Sequence, residues 1–124
     1  NGDILTQTDY LSLYNFHKKS SSVITMGVVH QSFQIPYGVV KCKKNVVSDI
    51  IEKPSENYLC NAGIYAFSAK LIKKIKINTF YMMTDLLLDT INNENLVSAY
   101  TIHEFWYDIA TVSDIEKVKS IKDK

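Results

Sequence analysis

Apolar residues along the chain alternate between two spacings, and the changes of spacing predict its elements. Over 8–19 the period is helical, with Leu11, Tyr14 (or Leu13) and Phe16 to His17 on one face. Thr8 suits the N-cap, Asp9 the positive helix start, and Lys18 and Lys19 the negative end. Residues 22–30 are rich in β-branched side chains and read as a strand. Two further strands, 37–43 and 46–52, are joined by Lys44-Asn45, a polar turn that fits a hairpin, and Pro36 and Pro54 bracket it. The run at 60–67 is nearly continuous in apolar residues, the pattern of a strand covered on both faces.

The C-terminal half alternates in the same way. Ser68 caps a short helix at 69–75 whose three lysines form a solvated face. A helix at 81–92 carries Met82, Leu86, Leu87 and Ile91 inward and Asp85 and Asp89 outward, with Met82-Met83 filling core. Strands follow at 96–102 and 106–109, then a helix at 113–122 capped by Ser113. Strands interleaved with helices, plus one hairpin, predict a layered α/β domain with a mixed sheet.

Composition adds limits. At 124 residues there is room for one domain with a modest core. A formal net charge of +1 gives no strong field for nucleic acid or an anionic membrane, so neither is expected as a partner. No apolar run reaches membrane-spanning length, and the expected location is cytoplasmic. Every basic residue is lysine, so any phosphate contact must come from a lysine or from backbone N–H groups. Cys42 and Cys60 sit in strand-like stretches and are expected as buried free thiols. His17 and His30 have no partner at metal-ligand spacing, and His103 precedes Glu104 in a turn. The opening Asn1-Gly2-Asp3 is a turn tripeptide, which suggests a piece of a longer domain.

Four segments carry candidate chemistry. Asp3 is either a turn residue or a metal-binding carboxylate at the end of a strand, where open α/β sheets bind ligands. Asp108, set among Phe105, Trp106, Tyr107 and Ile109, is either a helix-entry aspartate or a carboxylate bound to a cation. It needs a partner if it is desolvated. Glu52-Lys53, before Pro54, form a plain surface pair unless a bend turns both side chains toward one ligand. Asn61, Ala62 and Gly63 open an apolar strand. Gly63 marks either tight packing or close approach of a ligand, and Asn61 offers the donor and acceptor that a pair of sugar hydroxyls requires.

In this order and spacing, NGD at 1–3, IPYGVV at 35–40, IIEKP at 50–54, NAGIYAF at 61–67 and HEFWYDIA at 103–110 resemble the sugar-1-phosphate nucleotidyltransferases, nearest the mannose-1-phosphate guanylyltransferase-like branch. The resemblance implies a Rossmann-like, three-layer α/β/α fold with a mixed central sheet. Residues 1–124 would be the C-terminal, sugar-binding portion of a GT-A-like nucleotidyltransferase domain. It further implies that Asp3 and Asp108 hold Mg²⁺, that Glu52 binds sugar hydroxyls, and that Lys53 binds the sugar phosphate. Asp3, Asp108 and Lys53 would be the catalytic set. Tyr37, Gly38, Asn61, Ala62 and Gly63 would line the sugar pocket, largely with backbone atoms. The partners implied are a sugar 1-phosphate and a nucleoside triphosphate, GTP first among them.

Two departures from the family pattern qualify this. The G-x-G-x-R loop is absent from these residues, which predicts that the chain is inactive alone. Ala110 stands where the family usually has glycine, a strained position if its φ is positive. A non-catalytic sugar-nucleotide-binding module of the same fold is the alternative. Self-association through an uncovered strand edge is a further expectation.

Overall fold

The structure, a computed structural model, describes residues 2–73 and 75–122. In order the elements are β1 (Ile4–Thr6), α1 (Tyr10–Lys19), β2 (Ile24–Gln34), β3 (Val39–Lys43), β4 (Val46–Ile51), β5 (Ser55–Phe67), α2 (Ala69–Ile72), α3 (Met83–Asn92), β6 (Val97–Thr101), β7 (Trp106–Asp108) and α4 (Val112–Lys122). They group into two compact units, one of Asn1–Val29 with Asn61–Lys124, the other of His30–Cys60.

In the first unit β2 and β6 are parallel, with Ile24 opposite Val97 and Gly27 opposite Tyr100, and β5 borders β2 on its other side. Strand alternation divides β2 between two helical layers. Ile24 and Met26 pack with Leu71 of α2 and Leu86 and Leu87 of α3, a cluster that Tyr65 and Val97 extend. The intervening Thr25, fully buried, hydrogen-bonds His17 Nδ1 of α1 at 2.9 Å, and Tyr100 meets Phe16 of α1 edge-on at 5.4 Å between centroids. Helices therefore cover both faces of the parallel pair, the layering expected from the sequence. Among the described residues the strands form three small sheets, β5-β2-β6, antiparallel β1-β7 and antiparallel β3-β4.

Several local expectations change. Asp9, not Thr8, caps α1. Its Oδ1 accepts from the N–H groups of Leu11 and Ser12, each at 3.0 Å, while Thr8 is buried and hydrogen-bonds Thr6. The inward residue of α1 is Leu13, whereas Leu11 is exposed. In α3, Leu86, Leu87 and Thr90 face in and Met83 packs beside them, while Met82 and Ile91 face out. The last helix begins at Val112, and the cap is Thr111, whose N–H donates to Asp114 Oδ2 at 2.9 Å. β5 is much longer than 60–67; within that run Ala62 and Ile64 are buried and Tyr65 packs against the Ile24 cluster, so the run is covered on both faces as expected. Lys70 and Lys73 are exposed as expected, and Lys74 lies outside the described residues.

The second unit is built around the β3–β4 hairpin. Lys44 and Asn45 both take positive φ, 45° and 64°, which matches the twist of a tight two-residue turn. Lys41 reaches Asp49 across the pair at 3.2 Å, next to a bulge between Lys41 and Cys42. The N–H of Ile35 donates to the Pro54 carbonyl at 3.0 Å, so the two ends of the hairpin segment are joined. Both cysteines are free. Cys42 is exposed and Cys60 half-buried, so the expected burial fails for the first. Among the described residues no helix is long and apolar enough to cross a membrane.

Candidate functional site

Asp3 and Asp108 are 105 residues apart in sequence and lie on adjacent backbone segments. β1 and β7 pair with Ile4 opposite Asp108 and Thr6 opposite Trp106, and the N–H of Ile109 donates to the Asp3 carbonyl at 2.8 Å. The far end of this pair is held by the Thr6 hydroxyl and the Gln7 N–H, both donating to the Phe105 carbonyl at 2.9 Å. Asp3 lies in the bend entering β1, so strand alternation does not set its direction. Both aspartates are exposed. The sequence argument that Asp108 needs a partner because it is desolvated therefore falls away, and exposure leaves its carboxylate accessible to a hydrated ion. Asn1, the first residue of the NGD motif, lies outside the described residues.

The 61–63 segment belongs to the same unit and is tied to the same strand. The Trp106 indole N–H donates to the Ala62 carbonyl at 2.9 Å. Ala62 is fully buried, so its side chain lines no pocket. Gly63 has a φ of 71°, the left-handed region that side chains other than glycine rarely adopt. Its N–H donates to Asn61 Oδ1 at 2.9 Å, and the Asn61 amide also engages the Tyr65 hydroxyl. Much of the polar capacity assigned to a sugar is thus committed within the protein. Sequence reasoning singled out Trp106 only as a neighbour of Asp108. The signal available in the sequence was an indole N–H set among apolar residues, which needs an acceptor when buried.

In the second unit Glu52 and Lys53 follow β4, and Lys53 has a φ of 45°, so the chain bends where a bend was required. Tyr37 and Gly38 precede β3, with Tyr37 exposed. Glu52 comes close to Gly38: a Cβ at Gly38 would lie 2.9 Å from Glu52 Oε2. Glycine at 38 therefore leaves the space that this carboxylate occupies. Gly38 and Glu52 meet in the second unit, with Tyr37 and Lys53 their neighbours in the chain; in the first, Asp3 and Asp108 lie on paired segments and Trp106 ties Ala62 to β7.

Among the described residues no group of three or more His, Cys, Asp or Glu side chains could hold a metal. His17 is half-buried against Thr25, and His30 and His103 are exposed. Ala110 does not take a positive φ, so the suspected strain is absent. A cavity of about 210 Å³ lies elsewhere in the first unit, over Val23, Leu71, Ile75 and Leu86, with Tyr81 and Asp89 among its polar residues. None of the candidate site residues chosen from the sequence lines it.

The family model described as nucleotidyl transferase matches residues 1–123. The chain belongs to the nucleotidyl transferase family. Among relatives, a glucose-1-phosphate adenylyltransferase of Mycoplasma mobile is 27% identical over 124 residues, covering 90% of this chain and 32% of that protein. A mannose-1-phosphate guanyltransferase of Aspergillus fumigatus is 29% identical over 119 residues, covering 92% and 32%. In fold the chain is similar to HddC from Yersinia pseudotuberculosis, with a TM-score of 0.65 and 23% identity over 100% of this chain and 53% of that one. The same protein is also known complexed with GMP-PN. The chain thus spans about a third of the length of these curated relatives. The fold and family expected from the five motifs are those found.

Proposed function

We propose that this chain is the metal-holding and sugar-binding portion of an enzyme that transfers a nucleotidyl group from a nucleoside triphosphate to a sugar 1-phosphate. The observation that carries the reading is the adjacency of Asp3 and Asp108, joined through Ile109 N–H and the Asp3 carbonyl. In the reaction an oxygen of the sugar phosphate attacks the α-phosphorus, the bond to the β-phosphate bridging oxygen breaks, and pyrophosphate leaves. The nucleophile is already anionic, so no general base is needed, and the difficulty is holding polyanions in line.

Two exposed carboxylates, Asp108 at the end of β7 and Asp3 in the bend entering β1, fit Mg²⁺, which takes oxygen ligands and commonly uses only one or two carboxylates alongside phosphates and water. When bound it would neutralise charge on the triphosphate. Glu52 accepts hydrogen bonds from sugar hydroxyls in this reading, with Gly38 leaving it room and the exposed Tyr37 next to Gly38 in the chain. Lys53 supplies a point charge to the sugar phosphate. The 61–63 segment contributes shape more than free polar groups. GTP is the donor we place first, supported by guanyltransferase relatives and the GMP-PN complex of HddC; adenylyltransferase relatives make ATP the comparison. Strain at Ala110, one of the grounds for a non-catalytic module, is absent; that alternative then rests on the Ala110 methyl and the missing G-x-G-x-R loop, and turnover in the test below separates the two readings.

The test is pyrophosphate release by the complete protein that carries this chain, with GTP, ATP, UTP and dTTP against mannose, glucose and amino-sugar 1-phosphates. Release with at least one pair is expected. No release with any pair overturns the proposal.

A further inference from the structure

We infer that Trp106 is a positioning residue that fixes the sugar-side backbone at Ala62–Gly63, an inference that rests on the function proposed above. One peptide plane is held from both sides. Its carbonyl, on Ala62, accepts from the Trp106 indole at 2.9 Å, and its N–H, on Gly63, donates to Asn61 Oδ1 at 2.9 Å. The Tyr65 hydroxyl in turn engages the Asn61 amide. Glycine in the left-handed region samples many conformations when free, so a segment centred on Gly63 needs such restraints to present one shape. Ala62 is fully buried, where a carbonyl left unpaired is unfavourable, so the indole also keeps the plane from rotating.

The restraint comes from a particular place. Trp106 begins β7, the strand that ends on Asp108, so the 61–63 segment is registered against the strand bearing the proposed metal ligand. Loss of the indole donor leaves the peptide plane held on one side only. Sugar phosphate must then order the segment as it binds, while triphosphate and metal binding do not depend on that plane.

In the complete protein, Trp106→Phe is expected to raise both KM and the calorimetric Kd for mannose or glucose 1-phosphate by roughly 3–10-fold, the loss of one hydrogen bond. The kcat and the KM for the triphosphate should stay within about twofold, a split that general destabilisation would not give. Tyr65→Phe, which removes a single oxygen, should move sugar-phosphate affinity in the same direction, and it decides the matter if Trp106→Phe does not fold. The Trp106 indole N–H of the native chain, assigned by its loss in Trp106→Phe or otherwise by sequential assignment, should shift on adding sugar phosphate. Sugar-phosphate binding left unchanged in the folded variants, beside normal native binding, overturns this inference alone. A native protein that binds no sugar phosphate overturns it together with the function on which it rests.

Discussion

Replacing Gly27 by alanine probes how tightly the sheet behind the site is packed. Gly27 lies in β2, between β5 and β6. A Cβ there would fall 2.8 Å from Ile102 Cδ1, 3.2 Å from the Ile64 carbonyl oxygen and 3.5 Å from Ile64 Cβ. The first contact is a side-chain end that can move, although Ile102 is itself only 4% exposed. The second is backbone and cannot move without shifting β5 next to Gly63. Forcing a methyl group into such a site costs about 1–3 kcal/mol. For a chain of this size that lowers Tm by roughly 4 °C per kcal/mol, so a fall of about 4–12 °C is expected by circular dichroism. Ile102→Val removes Cδ1 and should cost about 0.5–1.5 kcal/mol alone. In the Gly27→Ala background it relieves the nearest clash, so the double variant should be more stable than the sum by at least about 0.5 kcal/mol. A neutral Gly27→Ala, or strict additivity with Ile102→Val, refutes the packing argument.

Three other outcomes are expected. Gly38→Ala should displace the Glu52 carboxylate from its position 2.9 Å from the added Cβ, raising KM for the sugar phosphate several-fold with little change in Tm; unchanged KM separates Glu52 from the sugar. The Ser12 hydroxyl and N–H, then the Leu11 N–H, hold the Asp9 carboxyl below its ordinary 3.8, so its contribution is present above that value and lost as pH falls through the lower folded pKa. Asp9→Asn keeps a capping oxygen without titrating, so the native protein should lose more Tm than this variant on acidification below pH 4, and parallel curves would contradict the cap. The hydrogen bond to Asp89, with burial and the charges of Asp89 and Asp85, pushes the Tyr81 phenol up from 10.0 to about 12. The stability it contributes is present below pH 10 and lost as pH rises toward 12. Tyr81→Phe should delete the most alkaline tyrosinate step at 295 nm, and deletion of a step near pH 10 would refute the assignment.

Much of the framework was legible because periodicity and turn chemistry act locally. The hairpin followed from Lys44-Asn45, and the two helical layers from the alternating spacing. Errors arose where neighbours decide. Thr8 and Asp9 are both capping residues, and the choice fell to Asp9 because Thr8 is drawn into a hydrogen bond with Thr6 at the end of β1. The early part of β5 has too few apolar residues to announce a strand, and pairing rather than pattern makes it one. At the candidate site the residue types were visible but their commitments were not. Nothing local reveals that Trp106 reaches back 44 residues to Ala62, that Asn61 turns onto Gly63, or that Asp108 is exposed despite its aromatic neighbours.

The central claim is that Asp3 and Asp108 serve one divalent ion, and paramagnetic broadening by Mn²⁺ of the amide signals of this chain tests it most directly. Broadening centred on residues 3, 4, 108 and 109 together, and lost in both Asp3→Asn and Asp108→Asn, is the expected result. Broadening at only one of the two aspartates, or at neither, would contradict the account.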